Sequence, residues 1–166
     1  MPTLIKLEDG AFIDTADSWV VVGAEDTTPD TGDVILPLAR FEAEGEAVLA
    51  GDRRVGVLLA AGDRVEALAY DLPRISVVAL AFPKFRDGRA YSTAALLRER
   101  LGYRGEIRAV GEVVRDQARE LVRVGINAFA PSDASTAAQW AASAGRMRHV
   151  YQRAADALSP AFVERF

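Results

Sequence analysis

The densest chemistry in the chain lies between Phe82 and Ser92, which reads Phe82-Pro83-Lys84-Phe85-Arg86-Asp87-Gly88-Arg89, then Tyr91 and Ser92. Arginine grips oxyanions and phosphates through two parallel N–H donors, and lysine adds a compact positive charge, so this composition suits an anionic ligand. Lys84, Arg86, Asp87, Arg89, Tyr91 and Ser92 are therefore ligand-binding candidates. The same residues admit a purely structural reading. Asp87-Gly88 is then a tight turn, Arg86 pairs with a nearby carboxylate, and Ser92 caps a helix.

Arg108 and Asp116 complete the candidate set. Arg108 falls inside the short apolar run Ile107-Arg108-Ala109-Val110, where a guanidinium must be paired or face a cavity. Glu106, two residues earlier on the same strand face, is the natural partner. Asp116 precedes Gln117 at the start of a helical segment, and Arg119 or the surroundings of Arg123 are its expected surface partners.

Other signatures are missing. The chain has no Cys, which excludes disulfides, thiolate nucleophiles, zinc fingers, and Cys-ligated iron–sulfur clusters or siroheme. Its single His, His149, supports neither a triad nor a metal site. Gly23 after Val20-Val21-Val22 starts like a dinucleotide turn without completing G-x-G-x-x-G, and no phosphate-binding loop is present. Trp140 reads as a core or interface aromatic. A pI near 5.1 and no basic patch interleaved with aromatics argue against nucleic acid. No cofactor can be assigned from these residues.

The elements that must position the candidates follow from hydrophobic pattern. From Val55 onward, short apolar runs (Val55 to Ala60, Ile75 to Phe82, Ile107 to Val110, Ile126 to Ala130) alternate with helical stretches. These helices are expected from Asp63 to before Pro73, from about Thr93 to Leu101, from Glu112 to Val124, and from caps at Ser132 and Asp133 to about Ala144. Gly102, Gly125 and Gly145 stop the last three. Such alternation predicts an α/β fold with a mainly parallel sheet of four to five βα units, open and doubly wound or curled into a half-barrel. Val34 to Pro37 and a helix from Leu38 to Leu49 add the fifth unit. The candidates then sit at strand C-termini, where parallel sheets collect ligands.

Before this core, Glu8-Asp9-Gly10 between β-prone runs predicts a hairpin, with Trp19 to Val22 as a third strand of a small antiparallel element. Residues 24–33 read as an acidic loop. The expected organisation is one domain of 166 residues: an N-terminal β element with its loop (1–33), a βα core (34–145) and a tail (146–166) with a short helical stretch. No segment approaches the apolar length of a membrane span, and Met1 to Leu4 lack a leader's basic start, so a cytoplasmic protein is expected. Residues 1–50 hold two basic against eleven acidic residues, a balance of −9, whereas residues 84–123 hold ten against six, a balance of +4. The basic centre faces either an anionic ligand or internal carboxylates.

One family resemblance runs through these motifs. Phe82-Pro83-Lys84-Phe85, Asp87-Gly88-Arg89, Tyr91-Ser92, Leu96-Leu97-Arg98, Gly102, Gly105, Arg108-Ala109-Val110-Gly111 and Asp116-Gln117 resemble the signature of the DUF934 family. Pro37-Leu38-Ala39, Val55-Gly56-Val57-Leu58-Leu59 and Tyr151-Gln152 extend the resemblance over roughly residues 34 to 153. It departs at Ala118-Arg119-Glu120 and at Asn127, where the family favours larger apolar or aromatic residues and Asp respectively. The family is bacterial, of unknown function, and described as oxidoreductases of sulfite reduction. The resemblance thus implies an accessory protein of assimilatory sulfite reduction, binding an oxyanion, a phosphorylated ligand or the sulfite reductase itself at the Arg-rich edge. The alternative it implies is an oxidoreductase holding a nucleotide or flavin there. A third reading, a structural module, applies if the acidic N-terminal segment covers that edge.

Overall fold

A computed structural model describes residues 3–163. Residues 1, 2 and 164–166, which the leader and tail readings include, lie outside the described residues. The strands are β1 (Thr3–Glu8), β2 (Ala11–Ala16), β3 (Val20–Val21), β4 (Val34–Pro37), β5 (Val55–Leu59), β6 (Val77–Phe82), β7 (Glu106–Gly111) and β8 (Ala128–Phe129). The α-helices are α1 (Leu38–Leu49), α2 (Arg89–Ala95), α3 (Ala118–Arg123) and α4 (Ala137–Ala144).

All the strands join one eight-stranded sheet in the order β2-β1-β8-β7-β6-β5-β4-β3. From β3 to β8 each strand lies parallel beside its successor. The crossovers between successive neighbours place the α-helices on one face, where all four contribute to the large core. The burial pattern agrees: Leu36, Val57, Leu80, Phe82, Ile107 and Phe129 point into the large core with Phe41, Leu97, Leu121 and Trp140 from the covering segments. The opposite face carries a small cluster of Ile35, Val77 and Ala79, with Trp19, Leu58 and Val110 packed on it.

The α/β class holds, but the sheet is mixed and eight-stranded, not a mainly parallel sheet of four or five βα units. The hairpin does not stay apart as a separate element. β1 runs antiparallel beside β8, with Leu7 N donating to Asn127 O at 2.9 Å, and so pairs an edge that the parallel strands leave open. The run from Trp19 to Val22 departs further from expectation, because β3 pairs parallel with β4 at the other end of the sheet.

That placement sets the shape. β2 and β3 are the outermost strands, separated across a flat sheet by seven gaps of about 4.8 Å, roughly 34 Å in all. Only four chain steps join Ala16 to Val20, about 14 Å when extended. The sheet must therefore curl, and it forms a half-barrel whose concave face is crossed by the strap Asp17-Ser18-Trp19.

Helix positions follow local chemistry with some shifts. In α1, Leu38, Phe41 and Gly45 share the buried face. A Cβ at Gly45 would stand 3.0 Å from the Phe41 ring, so only glycine lets that ring lie flat on the helix. The segment after Asp63 makes two 3-10 turns, Val65–Leu68 and Leu72–Arg74, instead of one helix, and Asp63 accepts the Ala60 N–H at 2.8 Å. Pro73 denies an α-helix there its continuous hydrogen-bond ladder. The next helix starts early, at Arg89, and finishes as a π-helical turn over Leu96–Arg100. Gly102 (φ 65°) and Gly125 (φ 90°) make the left-handed stops expected of them.

Two capping assignments move. α4 starts after Thr136, whose N–H is accepted by Gln139 Oε1 at 3.0 Å, while Ser132 and Asp133 tie up the preceding loop. The tail to residue 163 has no helix; its described part is fastened by Arg123, which donates to Gln152 O (2.7 Å) and pairs with Asp156 (3.0 Å). Among the described residues, no helix is long and apolar enough to cross a membrane.

Candidate functional site

At the C-terminal ends of β6 and β7, two loops hold each other. Phe82 is fully buried and meets the Tyr91 ring edge-on, with centroids 5.5 Å apart. Lys84 O accepts the Asp87 N–H at 2.9 Å, which closes the turn. Asp87 then receives three donors from Arg89: its N–H (3.2 Å), Nε (3.0 Å) and Nη2 (2.7 Å). Hydrogen bonds from the Arg89 side chain, then from its backbone, hold the Asp87 carboxyl down to about 2. Arg89 is thus committed to its own loop.

The neighbouring strand end supplies a clamp that the sequence reading passed over. Gly111 has φ 99°, and a Cβ there would lie 2.4 Å from Phe82 O, so the β7 end can approach β6 only as glycine. Glu112 N donates to Phe82 O (2.8 Å), and Glu112 Oε2 accepts the Phe85 N–H (3.0 Å). This pins the tip. Phe85 stands 55% exposed on it, between exposed Lys84 and Arg86. Among the described residues, neither of those cations has an ion-pair partner.

The remaining candidates are dispersed. The Tyr91 ring packs inward, where burial raises its hydroxyl pKa and a hydrogen bond to Gln117 opposes the rise. Ser92 is exposed, on a shallow depression shared with Asp63, Val65 and Glu66. Asp116 meets neither Arg119 nor Arg123: it lies 3.6 Å from Arg146 in an exposed pair. Its neighbour Gln117 is the buried member, accepting the Val114 N–H at 3.1 Å.

Arg108 is 1% exposed on the concave face, with Glu106 as the partner its spacing suggests: Nε to Oε1 is 2.8 Å. Nη2 lies 2.7 Å from the same oxygen, off the line of a hydrogen bond. A second partner comes from the strap, Asp17 Oδ2, at 2.9 Å from Nη1. Lys6 Nζ completes the row at 2.8 Å from Glu106 Oε2. Two cations and two carboxylates alternate, so Arg108 is internally neutralised.

The acidic N-terminal loop lies elsewhere. Arg40 donates to Gly23 O, Asp26 O and Thr28 Oγ1, Arg53 to Pro29 O and Asp30 O, and Arg54 pairs with Asp33. These contacts fasten it beside β4 and α1 and involve no residue of the Lys84 to Arg89 loop.

The clamped segments from β5 to the tail fall within one stretch of recognisable relationship. No curated protein and no solved structure matches the chain. A family model does match, described as a bacterial protein of unknown function (DUF934), over residues 56–162, which takes in all of β5 but Val55, β6 to β8, the Phe85 tip, Glu112 and most of the tail. By that match over more than half its length, the chain belongs to the DUF934 family.

Proposed function

We propose that this protein is an accessory of assimilatory sulfite reduction that acts in the cytoplasm by docking on the sulfite reductase through the Lys84-Phe85-Arg86 tip. The observation that carries the docking reading is an exposed aromatic ring, flanked by two cations without ion-pair partners, on a backbone pinned by Glu112. Aromatic anchors on a preordered backbone make effective interface centres, and flanking cations steer an acidic partner face. The family resemblance supplies the sulfite context.

A protein partner is favoured over a small oxyanion because the guanidiniums that would have to converge on an anion are already engaged. Arg89 is on Asp87, and Arg108 is on Glu106 and Asp17. Co-purification of sulfite reductase with the wild type, lost in the K84A/F85A/R86A variant, is the expected result. Retention of the reductase by that variant overturns the site. Thermal-shift titrations with sulfite, sulfate, adenylyl sulfate, NADP and flavin test the other readings, since a ligand that binds only the folded state raises its melting temperature. A shift with NADP or flavin would favour the oxidoreductase alternative.

A further inference from the structure

The amino ends of the parallel strands carry a second feature, remote from the Phe85 tip. A cleft of about 500 Å³ opens between the β1–β2 hairpin (Leu7, Gly10, Phe12), the residues leading into β8 (Ile126, Asn127), Val122 of α3 and the tail (Ala155, Asp156, Leu158). Its volume falls within the range of small-molecule sites. The walls are mainly apolar.

The polar groups in this lining are biased toward donors. Arg98 gives Nε to Gly125 O (2.9 Å) and Nη1 to Tyr103 O (2.8 Å) and Gly105 O (2.9 Å), which staples two loops and, among the described residues, leaves Nη2 without a hydrogen-bond partner. No carboxylate pairs with Arg98 or with Arg104, the other guanidinium in the lining, among the described residues. Burial lowers the pKa of Arg98, and the Tyr103 ring, its centroid 5.7 Å from the guanidinium carbon, opposes that fall. Asn127 accepts the Ile107 N–H through Oδ1 (2.8 Å), which leaves its NH2 group as the available end. The one carboxylate of the lining, Asp156, is committed to Arg123 at 3.0 Å and to the Leu158 N–H at 3.3 Å.

Carbonyls and the Tyr103 ring hold Arg98 in place, but among the described residues no carboxylate balances the two guanidinium charges beside this apolar cleft. A compact anion would balance their charge, and a hydrocarbon body would fill the space beside it. We infer that this cleft binds an amphiphilic anion, an apolar or aromatic body bearing one carboxylate, sulfonate or phosphate, with Arg98, Arg104 and Asn127 at its charged end. The inference is independent of the docking tip.

The test is a methyl-NMR titration of the full chain with decanoate, and with decanol as its uncharged counterpart. Saturable shifts confined to Leu7, Val122, Ile126 and Leu158 are expected with decanoate, and weaker binding with decanol. Arg104 is exposed and outside the staple, so Arg104→Glu keeps the fold; it should weaken decanoate roughly fivefold or more while leaving decanol unchanged. Ala155→Trp, which fills the cleft from its exposed wall, should weaken both, and K84A/R86A neither. The inference is overturned if decanoate produces no saturable shift, if its shifts fall outside the cleft, if decanol binds as tightly, or if Arg104→Glu leaves its affinity unchanged.

Discussion

Asp17 and Arg108, 91 residues apart in the chain, meet at 2.9 Å inside the curl of the sheet. The contact joins the strap to the middle of β7, so one ion pair both neutralises a buried guanidinium and holds the chain segment that spans the concave face. Removing one partner of a buried pair leaves the other charged and desolvated. Arg108→Ala is expected to cost about 3–5 kcal/mol in urea unfolding. Asp17→Ala should cost less, because Glu106 stays at 2.8 Å, yet it should also increase the solvent exposure of Trp19, read as a red-shifted fluorescence spectrum.

Gly111 sets how closely β7 approaches the loop after β6. Its Cβ-equivalent position lies 2.4 Å from a backbone oxygen and its φ is 99°, so Gly111→Ala combines a clash with a left-handed strain. A loss of roughly 2 kcal/mol or more is expected. Amide exchange should rise at Phe85 and Glu112, whose hydrogen bonds depend on that approach.

Asp87 provides a pH prediction with a definite sign. Its folded-state pKa, about 2, lies below the ordinary 3.8, so the stabilisation from its pairing with Arg89 is complete above the unfolded value and disappears as pH falls through 2. Carboxyl-carbon NMR should place the Asp87 midpoint near 2, and Arg89→Ala should return it toward 3.8. A midpoint near 3.8 in the wild type would refute the pairing.

Phe85→Ala tests the docking tip without touching the core, since the ring is already 55% exposed. Melting temperature should be nearly unchanged, while affinity for sulfite reductase falls by about tenfold or more, the loss expected of an aromatic anchor. Lys84→Ala and Arg86→Ala should act more through the association rate and its salt dependence. Surface plasmon resonance at two ionic strengths separates the two effects.

Much of this arrangement was legible in the residues. Alternating apolar runs and helical stretches marked the parallel strands from β4 to β8, Gly102 and Gly125 marked two helix ends, and Glu106 two positions from Arg108 announced their pairing. Each of these is local: the period of a strand, the turn of a helix or the φ of one glycine is encoded within a few neighbouring residues. The Phe82 to Arg89 loop was also found by its composition, although Arg89 turned out to serve Asp87, and Arg146, rather than a neighbour on α3, meets Asp116.

What the residues alone determined was the α/β class, the strand and helix alternation and the place where charge interrupts it. Tertiary structure decided the rest: β1 beside β8, β3 beside β4, the Asp17 strap, the Glu112 clamp and the exposure of Phe85. The physical reason is closure. Which edges pair, and which side chains meet across a curled sheet, depends on segments far apart in the chain reaching one another, as the short link from Ala16 to Val20 shows, and no local periodicity carries that distance.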